Sequence, residues 1–135
     1  MTKNIRVLLV DDQAIIRQGL RLRLTTEPDM TVVGEAGDGP TAIGLTTSVA
    51  PDVVILDISM PGMDGFETAR RLHSATGTGI VMLSLHDDPA SRARAATAGA
   101  DVFVAKHEAD AKLICAIRHV AVGASAHGQL GERGP

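Results

Sequence analysis

Tryptophan and tyrosine are absent from this 135-residue chain, and phenylalanine occurs only twice. Stacking of bases on an aromatic surface is therefore an unlikely use of the fold. Cysteine occurs once, at Cys115, which rules out an intramolecular disulfide, and the five histidines are scattered singly without zinc-ligand spacing. A cytoplasmic location is the simplest expectation. No cluster of basic residues offsets the net charge of -3, so direct nucleic-acid binding by this domain is not expected. Long hydrophobic runs are missing too. The apolar run from Val7 to Val10 is too short for a membrane span or a signal-peptide core, and it ends in two acids. What remains is 44% hydrophobic residues in a chain of ordinary domain size, enough to supply one core.

The apolar runs punctuate the chain regularly. Ile5 to Val10 reads as a strand that runs into Asp11-Asp12, and Ile16, Leu20 and Leu24 then recur at helical spacing. Thr31 to Ala36 is a more polar strand suited to a sheet edge. Asp38-Gly39-Pro40 starts a helix weakened by Gly44, Thr46 and Thr47. Val53-Val54-Ile55-Leu56 is a strand buried on both faces, stopping at Asp57 and followed by turn residues through Gly65. Phe66, Ala69 and His73 mark a helix face, Ile80 to Leu83 a strand ending at Ser84, and Ser91 to Ala98 a helix whose apolar positions are nearly all alanine. Val102 to Ala105 is a short strand ending at Lys106, and the last helix is expected from about Asp110 to Val122. Its buried face would hold Leu113, Ile114, Ile117, Val120 and Ala121, leaving Ala111, Cys115 and Val122 opposite. Residues 123–135 are polar and Gly-rich, and read as a flexible linker or tail after a folded domain at 1–122.

Strands alternating with helices give an α/β fold with a parallel sheet, since parallel strands need crossover helices. The runs beginning at Ile5, Val53 and Ile80 are the most continuously apolar and belong at the centre. That fits the doubly wound, flavodoxin-like strand order 2-1-3-4-5.

In such a sheet every strand's carboxyl end lies on one edge, so Asp11, Asp12, Asp57, Ser84 and Lys106 converge. Two carboxylates about 4 to 5 Å apart repel by roughly 3 to 4 kcal/mol at an effective dielectric of about 20. Clustered acids without an adjacent His or Cys call for a hard cation, and a small, water-retaining site suits Mg²⁺. With a cation and Lys106 present the pocket accepts a dianionic phosphoryl group, and an aspartate can take that group covalently. Taken singly, each residue has an ordinary explanation: helix or loop capping for the acids and Ser84, a solvated charge for Lys106. Their joint appearance at successive strand ends is the signal.

Leu8-Leu9-Val10-Asp11-Asp12, Asp57 through Gly65, Ser84, and Gly99 through Lys106 together resemble the receiver domain of two-component response regulators, a CheY-like fold, over residues 4–122. The ending Ala116 to Gly123 resembles the NarL/FixJ subgroup, whose receiver precedes a LuxR-type helix-turn-helix output domain. The resemblance implies a phosphoprotein that acts as a switch rather than a turnover enzyme. It implies that Asp57 accepts phosphate from a sensor histidine kinase, with Asp12 on Mg²⁺ directly, Asp11 largely through water, and Ser59 through its backbone carbonyl. Lys106 and Ser84 would hold the phosphoryl oxygens, and Phe103 would be the aromatic switch that follows Ser84. Thirteen Gly-rich residues after Val122 cannot build the output domain, so the chain reads as an excised receiver or a single-domain protein, with transcription regulation exerted through a domain absent here.

Two positions depart from the family pattern: His107 stands where many receivers have Pro, and Leu85 where a small residue is common. Three rival readings compete with this one. An aspartate-nucleophile phosphatase needs an acid two residues after Asp57, where Ser59 stands, and a flavin or nucleotide module needs a phosphate-cradling loop where Asp11-Asp12 would repel phosphate. A phosphorylation-independent pseudo-receiver is opposed by the complete acidic cluster and mildly favoured by Leu85 and His107. The small apolar strip around Cys115 on the last helix is an ordinary exposed surface on one reading and, on the sharper one, the interface of a phosphorylation-dependent homodimer.

Overall fold

Alternating apolar runs and crossover helices produce the expected sheet. The computed structural model describes residues 4–58 and 64–132. Strands β1 (Ile5–Val10), β2 (Met30–Ala36), β3 (Val53–Asp57), β4 (Gly79–Ser84) and β5 (Val102–Ala105) alternate with helices α1 (Ala14–Thr25), α2 (Gly39–Val49), α3 (Gly65–Thr76), α4 (Pro89–Thr97) and α5 (Ala109–Glu132), with a short 3-10 turn at Lys106–Glu108. All pairings are parallel and the order is β2-β1-β3-β4-β5. The three most apolar strands are the inner ones, as their two-faced burial requires.

Side-chain alternation divides the core in two. Val7, Leu9, Val53, Ile55, Val81 and Leu83 pack on one face beneath Leu24 of α1 and Leu113 and Ile117 of α5. Leu8, Val10, Val54, Leu56, Ile80 and Met82 face the other way, toward Ala42 of α2, Phe66, Ala69 and Leu72 of α3, and Ala95 of α4. Buried on both faces, the inner strands cannot slip by one residue without exchanging these two sets. The strand ends are therefore held in fixed register.

Local signals set the helix boundaries. Asp38, Asp64 and Asp88 each accept a backbone N–H three residues on, from Thr41, Glu67 and Ser91, and so cap α2, α3 and α4. Helix α4 is bound to the body through Ala95 and Ala98 and through two cation-π contacts: Arg94 lies 4.0 Å from the Phe66 ring centroid and Arg92 4.7 Å from that of Phe103. One burial pattern and one boundary differ from the sequence expectation. Only Leu24 of the α1 stripe is fully buried, Leu20 is half-buried, and Ile16 is exposed, because the first turn sits at the rim of the sheet rather than over it. Helix α5 continues to Glu132 instead of ending near Val122. Residues 123–132 contain glycine but no proline, and a glycine costs a helix only about 1 kcal/mol whereas proline costs about 3.

The end of α2 carries backbone strain. Ala50 adopts φ 47° and ψ 64° and donates its N–H to Thr46 O at 3.1 Å, a left-handed cap that glycine occupies without a Cβ clash. Arg6 of β1 holds this end in place by donating to the carbonyls of Val49 and Ala50. Ala50→Gly should therefore raise stability by roughly 0.5 to 1 kcal/mol. Urea unfolding should show a higher midpoint at an unchanged slope.

Candidate functional site at the carboxyl edge of the sheet

Register delivers the site. Val10 pairs with Leu56, so the residues that follow, Asp11 and Asp57, emerge side by side; Asp57 pairs with Leu83, and Ser84 with Ala105, so Ser84 and Lys106 come next along the same edge. Asp11 and Asp57 are buried, at 1% and 4% exposure, while Asp12 is exposed. One carboxylate oxygen from each lies within 4.8 Å of the others. Lys106 Nζ reaches Asp57 Oδ1 at 3.0 Å and Asp11 Oδ2 at 3.8 Å. One ammonium therefore faces three carboxylates, a local excess of two negative charges.

The backbone around the acids is tightly held. Asp57 ends β3, and the chain returns at Gly65, whose N–H donates to Ile58 O at 2.7 Å. A Cβ at position 65 would stand 2.4 Å from Ile58 Cα and 2.6 Å from Asp57 O, so only glycine permits this approach. Asp11 donates its N–H to Ala36 O at 3.1 Å, and its Oδ1 accepts the Gln13 N–H at 2.9 Å. Its Oδ2 has no hydrogen-bond partner, the one such buried side-chain polar atom among the described residues. A buried carboxylate oxygen without a donor, beside two more acids, fits a divalent, oxygen-preferring cation.

The other predicted residues fall out as follows. Ser84 is buried, and its Oγ accepts the His86 N–H at 2.9 Å, which is the loop-capping role open to it from sequence. Phe103 is half-buried under the Arg92 guanidinium. Ser59 lies outside the described residues. Leu85 is 74% exposed beside Ser84, and the peptide bonds among the described residues are all trans, that before His107 included. Sequence reading missed Arg17, which donates to the Asp11 carbonyl at 2.5 Å and to Glu35 Oε1 at 3.0 Å. It also missed a second grouping, Asp87, His107 and Glu108, whose ligand atoms come within 4.8 Å of one another. Its carboxylates are already paired with Arg92 and Lys112, and two separate loops supply it, so no spacing in the chain announces it.

Burial pushes the Asp11 carboxyl above its ordinary range; the charges of Asp57 and Asp12 push the same way, against the Gln13 N–H and Lys106. The folded state thus binds this proton more tightly than the unfolded state does. Without a divalent cation, the stability associated with Asp11 is full below the ordinary carboxylate pKa and is lost as pH rises through the raised one. Asp11→Asn should consequently be more stable than the parent at pH 7 in chelator, and the difference should shrink as pH falls below the carboxylate range. Urea unfolding at a series of pH values measures it, and a variant less stable than the parent at pH 7 would contradict the electrostatic account.

Comparison with known proteins agrees with this geometry. The model of the response regulator receiver domain matches residues 7–118. A transcriptional regulatory protein of Bacillus subtilis, YxjL, itself described as uncharacterized, is 41% identical over 120 residues, 88% of this chain and 55% of its own. The nitrate/nitrite response regulator NarL of Escherichia coli K12 is 36% identical over 118 residues, 87% of this chain and 55% of its own. The chain thus spans about half the length of these curated relatives. Among solved structures, the receiver domain of a putative response regulator NarL from Mycobacterium tuberculosis superposes with a TM-score of 0.84 at 35% identity, covering 90% of this chain and 98% of that one. Sheet order, strand-end acids and matched residues converge on one assignment: the chain belongs to the response regulator receiver domain family, of the LuxR/NarL type.

Proposed function

We propose that Asp57 is the phosphoacceptor, that Asp11, Asp12, Asp57 and the Ser59 carbonyl bind Mg²⁺, and that Lys106 and Ser84 hold the phosphoryl oxygens. The observation that carries this reading is the 3.0 Å contact between Lys106 Nζ and Asp57 Oδ1 at a buried strand end that two further acids share. The donor in this reading is a phosphohistidine on a sensor kinase. An Asp57 carboxylate oxygen attacks phosphorus, an acyl phosphate O–P bond forms, and the donor's P–N bond breaks with its electron pair returning to the imidazole. Mg²⁺, when bound, neutralises charge on the phosphoryl oxygens. Lys106 would stabilise the same charge, passing from Asp57 to the new phosphoryl group. Ser84 Oγ accepts the His86 N–H and keeps its own proton to donate to the phosphoryl group, and Phe103, now under Arg92, turns inward as Ser84 moves. That is the switch.

That relatives such as YxjL are transcriptional regulatory proteins supports a DNA-binding output domain as the target of the switch, with residues 1–122 as receiver and 123–135 as its connection. No helix among the described residues is long and apolar enough to cross a membrane. Incubation with acetyl phosphate, read by intact mass, tests the central claim. Labelling should require Mg²⁺ and should be abolished in Asp57→Asn. Undiminished labelling of that variant would overturn the assignment.

The signal leaves, in this reading, through a homodimer. Ala111, Lys112, Cys115 and His119 of α5 line a shallow groove with Val102, Phe103 and Val104 of β5. Cys115 is exposed there. Thiol labelling of Cys115 should be fast in the free domain and slowed at least severalfold by beryllofluoride. Equal rates in a sample that sedimentation shows to be dimeric would put the interface elsewhere.

A further inference from the structure

The acids that follow β1 sit in a three-residue loop, and a loop carboxylate binds a cation well only if its backbone is fixed beforehand. Helix α1 does not fix it in the ordinary way, since its N-cap, Gln13, makes no side-chain cap. The fixing comes from one turn further on. Arg17 Nη1 reaches back over the first turn to donate to Asp11 O at 2.5 Å, while Arg17 Nε donates to Glu35 Oε1 at 3.0 Å. The other oxygen of Glu35 is held by Arg21 Nε at 2.7 Å. Arg17 is 20% exposed and Glu35 28%, so the guanidinium is largely shielded and anchored at both ends.

The Asp11 carbonyl belongs to the peptide unit that joins Asp11 to Asp12. With the Asp11 N–H bound to Ala36 O, pinning this carbonyl stops that peptide plane from rotating, and the plane sets the direction in which the Asp12 side chain leaves the backbone. A guanidinium can bond the carbonyl and Glu35 simultaneously through its planar fork, which an ammonium on a flexible stem cannot reproduce. We propose that Arg17, braced by Glu35, is a positioning residue of the cation site: it orients the Asp11–Asp12 peptide, and through it Asp12, before the cation arrives. The proposal rests on the reading of Asp11 and Asp12 as Mg²⁺ ligands.

Its sign separates it from a charge effect. Arg17 is a cation near a cation site, so removing its charge alone tightens Mg²⁺ binding, whereas loss of positioning weakens it. Mg²⁺ titration followed by calorimetry or amide chemical shifts, without any phosphodonor, reads the difference; thermal unfolding in chelator is recorded alongside. Arg17→Met should weaken Mg²⁺ about tenfold or more. Arg17→Lys keeps the charge and stem, and should still weaken it severalfold even where its unfolding midpoint matches the parent's. Arg17→Met binding as tightly as the parent or more tightly overturns the proposal, as does parent-like affinity in Arg17→Lys should the methionine variant fail to fold. Asp12→Ala serves as the control. If it loses Mg²⁺ while both Arg17 variants keep it, the positioning role alone falls; if Asp12→Ala binds like the parent, the ligand reading falls and takes the proposal with it.

Discussion

Electrostatic repulsion among Asp11, Asp12 and Asp57 is the constraint around which the rest is built. Two of the three are buried, and Lys106 answers only part of their charge. Left to itself such a cluster would spread apart or take up protons, because burial in low dielectric penalises each charge and proximity adds to the penalty. The fold prevents spreading. Two-sided burial locks the register of β1, β3 and β4, Gly65 lets the backbone close behind Asp57, and Arg17 ties the Asp11 loop to the body. Destabilising groups held at close quarters keep a site ready for a ligand of opposite charge, a cost in stability that the two hydrophobic layers can absorb.

Much of this was legible from the chain because strand burial and strand ends are local signals. Nearly continuous apolar runs told which strands are central, and the residue type at each run's end told what collects at the edge. The α5 face was legible for the same reason: Leu113, Ile114, Ile117 and Val120 are buried and Cys115 is exposed, as 100° per residue requires. Contacts between polar residues on different elements were not. Arg17 and Glu35 lie 18 positions apart, on a helix and an edge strand where charged residues read as solvated, and periodicity carries no information about which charge meets which. Arg118, on the exposed side of α5, donates to both Asp29 and Glu27 and fastens α5 to the loop before β2, a pairing no spacing announces. Ile16 was misjudged because a helical stripe reports which face is apolar, not how far the sheet extends beneath it.

Helix α4 stands apart from this rigid arrangement. Its core contribution is alanine, and what ties it down is Arg92, shared between Asp87 and the Phe103 ring, and Arg94 over Phe66. Such contacts are directional and individually weak, on the order of 0.5 to 1 kcal/mol at partly exposed sites. An element attached by a few polar contacts at a sheet edge can be re-seated without disturbing the hydrophobic layers beneath it.

The two arginine-capped rings are also the chain's entire complement of Phe, Trp and Tyr. One ring sits on each side of α4, on α3 and on β5. The protein accordingly carries a built-in pair of reporters with almost no spectroscopic background: absorbance at 280 nm is close to nil, and a fluorophenylalanine label yields two fluorine resonances, both beside the helix most free to shift. A displacement of α4 would register in both signals at once, and a rotation of Phe103 alone in only one.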